Sequence, residues 1–319
     1  MVLAAGYGTR LRPLTQQLPK PLVPVLNKPL ISYTLRQLAD CGVEHVVINL
    51  HHLGDLIRDK IGDGSSFGLR IEYSPEEQIL GTGGAVAHAR HLLGEDTFLL
   101  INGDVLCGAS PLDLFEFHRK KGATATMLVR PLPAGSDYTA LGMDEAGWLV
   151  KFKDASRKPH GKVRPVMFCG LHALEPVVYD FLPTGGFSCI NDRAYRTMIE
   201  HGLDVAALVY EGPWFDLGTP YSYLQANRAL LSGHVKLGSV DPLAGVETTG
   251  SVLVGKDVSI GRDVDLGPDV VLGEGARLGD GASLERTLVW PAAHVAAGTS
   301  LRDAIVTDQI VRVSSPSRE

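Results

Sequence analysis

The chain has 319 residues and a mass of 34.2 kDa, enough for two domains whose cores need no disulfide staples. With 30 Lys and Arg against 36 Asp and Glu, the net charge is −6 and 45% of residues are hydrophobic, which argues against a dedicated nucleic-acid binder and against a disordered chain. Cys41, Cys107, Cys169 and Cys189 form no C-x-x-C pair, no apolar run reaches about 18 residues, and the N-terminus lacks a signal-peptide pattern, so a reduced, cytoplasmic protein without a membrane partner is expected.

In chain order, residues 2–5 read as a short buried strand. It runs into Leu3-Ala4-Ala5-Gly6-Tyr7-Gly8-Thr9-Arg10-Leu11-Arg12-Pro13-Leu14-Thr15. A Gly-rich turn after a strand lets backbone N–H groups approach a phosphate. The turn is no Walker A loop, because no Gly-Lys-Ser/Thr follows. Leu11 stands where the dinucleotide fingerprint needs its third glycine. Arg10, and Lys20 in Pro19-Lys20-Pro21-Leu22, sharpen the reading, since two cations beside such a turn require a compensating anion. Tyr7 reads as a loop filler.

Residues 30–41, 83–93 and 111–121 read as helices, and 46–50, 97–102 and 125–129 as buried strands. This alternation predicts βαβ units and an α/β, Rossmann-like, mostly parallel sheet with its ligand beyond the carboxyl strand ends. His51 and His52 follow the second strand and point to opposite sides. They read as packing or hydrogen-bonding residues rather than metal ligands. Residues 214–219 read as a loop and 220–231 as a closing helix.

From about residue 250 the period changes. Gly255, Gly261, Gly267, Gly273 and Gly279 step by six, each after an aliphatic residue: Val254, Ile260, Leu266, Leu272 and Leu278. Val258, Val264, Val270, Ala276 and Ala282 form a second column. Hexapeptide periodicity marks a parallel β-helix, here a short left-handed one, with the glycines expected to permit tight corners. The frame loosens after Leu284, and His294 in the late coil reads as structural. The expected division is an α/β catalytic domain over 1–232, a linker over 233–245, the β-helix over 246–313 and a tail over 314–319.

The run from Leu3 to Thr15 followed by Pro19-Lys20-Pro21-Leu22 resembles the sugar-1-phosphate nucleotidylyltransferases. Leu80-Gly81-Thr82-Gly83-Gly84-Ala85, Asn102-Gly103-Asp104, Phe168-Cys169-Gly170-Leu171-His172 and Trp214-Phe215-Asp216-Leu217-Gly218-Thr219-Pro220 continue the resemblance, and the trailing β-helix is similar to the mannose-1-phosphate guanylyltransferase branch. The resemblance implies attack of a sugar 1-phosphate on the α-phosphorus of a nucleoside triphosphate, with pyrophosphate leaving. It implies Mg²⁺ held by Asp104 and Asp216, Arg10 at the β- and γ-phosphates, and Lys20 near the α-phosphate. The amides of Gly6, Gly8 and Thr9 would cradle the triphosphate. Leu3, Ala4 and Ala5, with Glu76, Gly81, Thr82 and Gly83, would face base and ribose.

Gly170 would lie on the sugar side. The family's Phe-x-Glu-Lys-Pro segment becomes Phe152-Lys153-Asp154-Ala155-Ser156-Arg157-Lys158-Pro159, so Asp154 would replace the Glu and Lys158 the Lys. The usual Tyr-Gly pair reads Tyr138-Thr139, and Cys169 stands in place of Ala or Thr. GTP with mannose 1-phosphate is the expected pair. UTP or dTTP with glucose, muramic or heptose 1-phosphate, or a non-catalytic regulatory subunit that binds a nucleotide sugar, are the alternatives. Only Met1 and Val2 precede Leu3, so either a start further upstream or a truncated first strand is expected. The β-helix is expected to mediate homo-oligomerisation, and no nucleic-acid partner is expected.

Overall fold

A computed structural model describes residues 1–246 and 248–315; the last four residues of the expected tail lie outside the described residues. The chain packs into two compact units that do not follow chain order. Residues 1–6 and 35–214 form one, and residues 7–34 with the chain from 215 onward form the other.

The first unit is α/β, as expected. Its strands are β1 (Val2–Leu3), β2 (His45–Leu50), β3 (Arg70–Pro75), β4 (Phe98–Asn102), β5 (Ala125–Pro131), β6 (Leu141–Met143), β7 (Leu149–Phe152), β8 (Ala155–Ser156), β9 (Arg164–Leu174) and β10 (Val205–Val209). Among the described residues they make one sheet in the order β8-β7-β6-β9-β4-β1-β2-β3, with β5 pairing β9 and β10. Strands β4, β1, β2 and β3 are mutually parallel, and β9 runs against both β4 and β5. The chain steps from β1 outward to β2 and β3, then returns to β4 on the other side of β1. The order therefore reverses between β1 and β4, and ligands of open α/β sheets bind beyond the carboxyl ends at such a point. Both the Gly-rich turn and Asn102-Gly103-Asp104 leave the sheet there.

Local chemistry sets the helix ends. The helix Pro111–Lys121 has the predicted bounds: Ser110 caps it by accepting from the Asp113 N–H at 3.3 Å, Pro111 opens it, and Gly122 closes it at φ +63°. The predicted helix over 83–93 is two, Gly81–His88 and Arg90–Leu93, because Ala89 leaves helical geometry at ψ 2°. No described helix is long and apolar enough to cross a membrane.

Inside the sheet core His172 is 1% exposed, its Nδ1 2.6 Å from the Tyr195 hydroxyl and its ring tilted against Phe168 at 4.2 Å. Burial pushes its pKa down to about 3. The unfolded chain, with a value near 6.5, then binds the proton more readily, so this contribution to stability is lost as pH falls below about 6.5. Going from pH 7 to pH 5 costs about 2 kcal/mol at this residue. Urea midpoints at both pH values should fall more in the native chain than in His172→Gln. Equal falls would remove His172 as the cause.

In the second unit, Pro220–Leu231 is a helix with the predicted bounds, opened by a reciprocal Thr219–Ser222 capping box. Trp214–Asp216, expected as loop, is a short strand. The later strands fit a parallel β-helix. Val252, Ser259 and Asp265 pair with Val270, Arg277 and Ser283, 18 residues on, which is three hexapeptides per coil. The next coil is 17 residues, since Val271, Arg277 and Ser283 pair with Leu288, His294 and Ser300. The frame thus loses one residue where the glycine period stops.

The six-step glycines do not make the corners. Asp257, Asp263 and Asp269 hold the left-handed φ at 54°, 55° and 59°. Instead, a Cβ at Gly255 would sit 2.7 Å from the Glu274 nitrogen, and one at Gly261 2.6 Å from the Asp280 nitrogen. Glycine is needed because the next coil's backbone passes there. Leu272 and Leu278 are buried, but Val254 and Ile260 are 38% and 46% exposed, because Ile260 lies on an edge strand of the first coil.

Candidate active site

The first unit supplies a buried polar chain at the end of β1. Leu3 pairs with Asn49 on one side and Asn102 on the other. The Ala4 N–H donates to Asn49 Oδ1 at 2.8 Å, Asn49 Nδ2 donates to Glu76 Oε1 at 2.7 Å, and the Leu80 N–H donates to Glu76 Oε2 at 2.9 Å. Glu76 is 7% exposed, and both its oxygens are engaged. It ties the Leu80-Gly81 loop to the strand that carries Ala4. Asn49 was not foreseen; its signal is one amide inside the apolar run Val46-Val47-Ile48-Asn49-Leu50.

Because both oxygens of Glu76 accept, a glutamine there must turn its NH₂ toward a donor. Glu76→Gln should lower stability by about 1–3 kcal/mol in urea unfolding. An unchanged midpoint would show that the loop is held otherwise.

Gly81, Thr82, Gly83 and Gly84 pack under residues 186–190. The Gly83 and Gly84 N–H groups donate to the Ser188 carbonyl at 2.8 and 3.2 Å, and the Ile190 N–H donates to Thr82 Oγ1 at 2.9 Å. A Cβ at Gly81 would come within 2.7 Å of the Ser188 carbonyl, and one at Gly84 within 2.6 Å of the Gly186 carbonyl. Close backbone approach therefore explains these glycines, a reason the sequence did not show. Gly6 is different: its φ is not positive and a Cβ would meet nothing within 4 Å. Packing does not demand glycine there.

On the other side of β1, Asn102-Gly103-Asp104 turns out of β4. The Gly103 N–H donates to the Leu3 carbonyl at 2.9 Å, and a Cβ at Gly103 would lie 2.6 Å from that oxygen. Asp104 follows on the turn, half-buried.

The second unit holds the phosphate-type turn. Gly8 is left-handed at φ +60°, Thr9–Leu11 is one short helical turn, and Thr15 Oγ1 donates to the Gly8 carbonyl at 2.8 Å. A Cβ at Gly8 would meet Thr15 Cγ2 at 2.9 Å and Lys20 Cβ at 3.3 Å. The Lys20 side chain is 7% exposed, with Nζ 3.8 Å from Asp216 Oδ1; Arg10, 66% exposed, has Nη1 3.7 Å from Asp216 Oδ2. The compensating anion required by the two cations is thus Asp216 itself. A Cβ at Gly218 would reach within 2.7 Å of Arg10 Nη1, so glycine makes room for the guanidinium. The chain after Lys20 is pinned. Asn227 Oδ1 accepts from the Leu26 N–H at 2.9 Å, and Asn27 Nδ2 donates to the Leu272 carbonyl at 2.8 Å.

The expected sugar residues lie on separate elements, Asp154 on the turn after β7 and Gly170 on β9. Asp154 makes a two-pronged pair with Arg196 at 2.8 and 2.9 Å, and Lys158 is exposed. Phe152 lies opposite Leu141, which lies opposite Val166, four residues before Gly170. Two strand spacings and two to three residues put the 153–154 turn about 13 Å from Gly170. Gly170 occupies a bulge of β9 at φ +94°.

The first unit is thus an open α/β sheet with reversed strand order, and the second sets a left-handed glycine turn beside exposed Arg10, buried Lys20 and Asp216. Residues 1–233 match the nucleotidyl transferase family model, and the chain belongs to that family, among the sugar-1-phosphate nucleotidyltransferases. A UTP–glucose-1-phosphate uridylyltransferase of Synechocystis sp. is 30% identical over 249 residues, 74% of this chain and 64% of its own length. A mannose-1-phosphate guanylyltransferase of Mycobacterium tuberculosis is 32% identical over 234 residues, 73% of this chain and 64% of its own. The chain thus spans 64% of the length of each of these relatives. A crystal structure of UDP-glucose pyrophosphorylase complexed with UDP-glucose shares the fold, with a TM-score of 0.57 and 23% identity over 72% of this chain and 96% of that one.

Proposed function

We propose that the protein transfers a nucleotidyl group from a nucleoside triphosphate to a sugar 1-phosphate, giving a nucleotide sugar and pyrophosphate, with GTP and mannose 1-phosphate as the pair. The observation that carries the reading is the placement of Arg10 and buried Lys20 around Asp216, beside the Gly8 turn. A buried cation held by a fixed turn is suited to phosphate charge that changes during reaction.

In this reading residues 1–232 are the catalytic domain, and the amides of Gly6, Gly8 and Thr9 bind the triphosphate. Leu3, Ala4, Ala5, Gly81, Thr82 and Gly83 border base and ribose, with Glu76 holding that wall in position. Lys20 stabilises charge at the α-phosphate and Arg10 the departing pyrophosphate. In-line transfer of this kind needs positioning and charge neutralisation more than covalent help.

The donor set suits Mg²⁺. The described residues contain no cluster of three or more His, Cys, Asp or Glu able to hold a metal alone. Mg²⁺ takes one or two carboxylates and completes its shell with phosphate oxygens and water. Asp104 and Asp216 are the proposed ligands, and Mg²⁺ when bound supplies positive charge to the reacting phosphates.

The test is pyrophosphate release with Mg²⁺ across GTP, UTP, dTTP, ATP and CTP against a panel of sugar 1-phosphates. GTP with mannose 1-phosphate is the expected pair. The Synechocystis relative, named for UTP and glucose 1-phosphate, supports a second reading with that pair. A folded protein that binds a nucleotide sugar and turns over no pair would be a regulatory subunit instead. We also read the β-helix as an association element. Light scattering of the full chain should give a mass above 34.2 kDa, and a monomer mass would count against it.

A further inference from the structure

Arg130 ends β5, which runs in the same direction as β4, because each is antiparallel to β9. Its carboxyl end is therefore on the ligand side of the sheet. Arg130 lies opposite Met167, and β9 then leaves register between Phe168 and His172, around Gly170. A Cβ at Gly170 would touch Val105 Cγ2 at 3.2 Å and Asn102 Cβ at 3.4 Å, so the bulge packs against the strand end that leads to Asp104.

Beside this bulge the side chains form a half-open wall. Trp214 Nε1 donates to the Cys169 carbonyl at 2.9 Å, the Arg130 Cζ lies 5.5 Å from the Trp214 ring centroid, and Tyr138, 40% exposed, meets Trp214 edge-on at 5.7 Å. Arg130 is itself half-buried. No ion pair among the described residues includes it. The titratable groups that feel its charge are Cys107, Cys169 and Tyr210. Burial pushes these thiols up to about 11 and about 12 and the phenol up to about 12, so all three are neutral at pH 7. Arg130 is thus a cation without an ion pair among the described residues, with three neutral groups near it, at the Gly170 bulge. The cations of the 152–159 segment differ: Lys153 pairs with Asp192 and Arg157 with Asp204 at 3.1 Å, while Lys158 is exposed.

We infer that Arg130 is the residue that pairs with the phosphate of the sugar 1-phosphate. The inference rests on the transfer reading above and names its acceptor site. A guanidinium matches a phosphate with two parallel N–H donors. Arg130 takes the place that the resemblance gave to Lys158.

The test uses the full chain with Arg130→Met and Arg130→Lys. With the productive substrate pair, Arg130→Met should raise the KM for sugar 1-phosphate about 10- to 100-fold, leave the KM for the nucleotide within about twofold, and regain part of the loss as Arg130→Lys. Calorimetry should show the same loss for sugar 1-phosphate binding alone. An unchanged KM for sugar 1-phosphate overturns the inference and leaves the transfer reading standing. Equal losses for both substrates with a lowered thermal midpoint also overturn it, making Arg130 a packing partner of Trp214. If the native chain turns over no pair, calorimetry still decides. Sugar 1-phosphate binding that depends on Arg130 keeps the assignment while the transfer reading falls, and absence of any such binding overturns both.

Discussion

Lys20→Met should lower turnover by about 10²- to 10³-fold while the folded protein keeps its thermal midpoint within a few degrees. The first half follows from position. The ammonium is 7% exposed, beside the left-handed Gly8 and 3.8 Å from Asp216, where water cannot replace it. Losing one preorganised charge at a phosphate in such a place costs about 10²–10³ in rate. The second half follows from volume. Methionine fills the space of the lysine stem, and Asp216 keeps Arg10 as a cationic partner at 3.7 Å, so its charge is not left uncompensated. Lys20→Arg should not rescue, because the Lys20 stem already lies against the turn: a Cβ at Gly8 would be 3.3 Å from Lys20 Cβ. The check is pyrophosphate release beside thermal melting. Near-normal turnover in Lys20→Met would remove Lys20 from the site, and a collapsed melting curve would make it a structural residue.

Asp104→Asn should abolish Mg²⁺-dependent turnover, by about 10³-fold or more, with the sheet intact. Asparagine keeps the size of the side chain and its place after Gly103, whose N–H on the Leu3 carbonyl holds the turn. It removes the negative charge a hard divalent cation needs, and metal neutralisation of reacting phosphates is worth several kcal/mol. The readouts are pyrophosphate release over a Mg²⁺ titration and the circular dichroism of the variant. Turnover near the native value at ordinary Mg²⁺ would overturn the ligand assignment. An asparagine variant that recovers only at high Mg²⁺ would support it.

Much of the fold was legible because its signals are local. The helices Pro111–Lys121 and Pro220–Leu231 carry their own caps, Ser110 with Gly122 and Thr219 with Ser222, so their bounds could be read from neighbours in the chain. The hexapeptide period was equally visible, and so was the point where it breaks, because each coil repeats one local pattern. The predicted helix over 83–93 failed at Ala89, where no proline or glycine marks the interruption.

The glycines show where sequence reasoning stops. In the β-helix the step of six was correct and its cause was not. The corners belong to Asp257, Asp263 and Asp269, while Gly255 and Gly261 make room for Glu274 and Asp280, 19 residues further along the chain. Gly81 and Gly84 likewise read as a ligand loop, yet they are required by the carbonyls of Ser188 and Gly186.

The sequence by itself determined the α/β class, the phosphate-type turn with its two cations, the repeat of the C-terminal coils and the family resemblance. Each depends on residues close together in the chain or on a short repeating period. Only the tertiary structure decided which acid answers the cations, that Glu76 spends both oxygens on Asn49 and Leu80, that Asp154 pairs with Arg196, and that Arg130 stands opposite Met167 beside the Gly170 bulge. These are contacts between residues 27 to 206 positions apart in the cases of Asn49 with Glu76 and Arg10 with Asp216. The folded backbone alone brings such pairs together, and no local pattern of side chains encodes which partner each will meet.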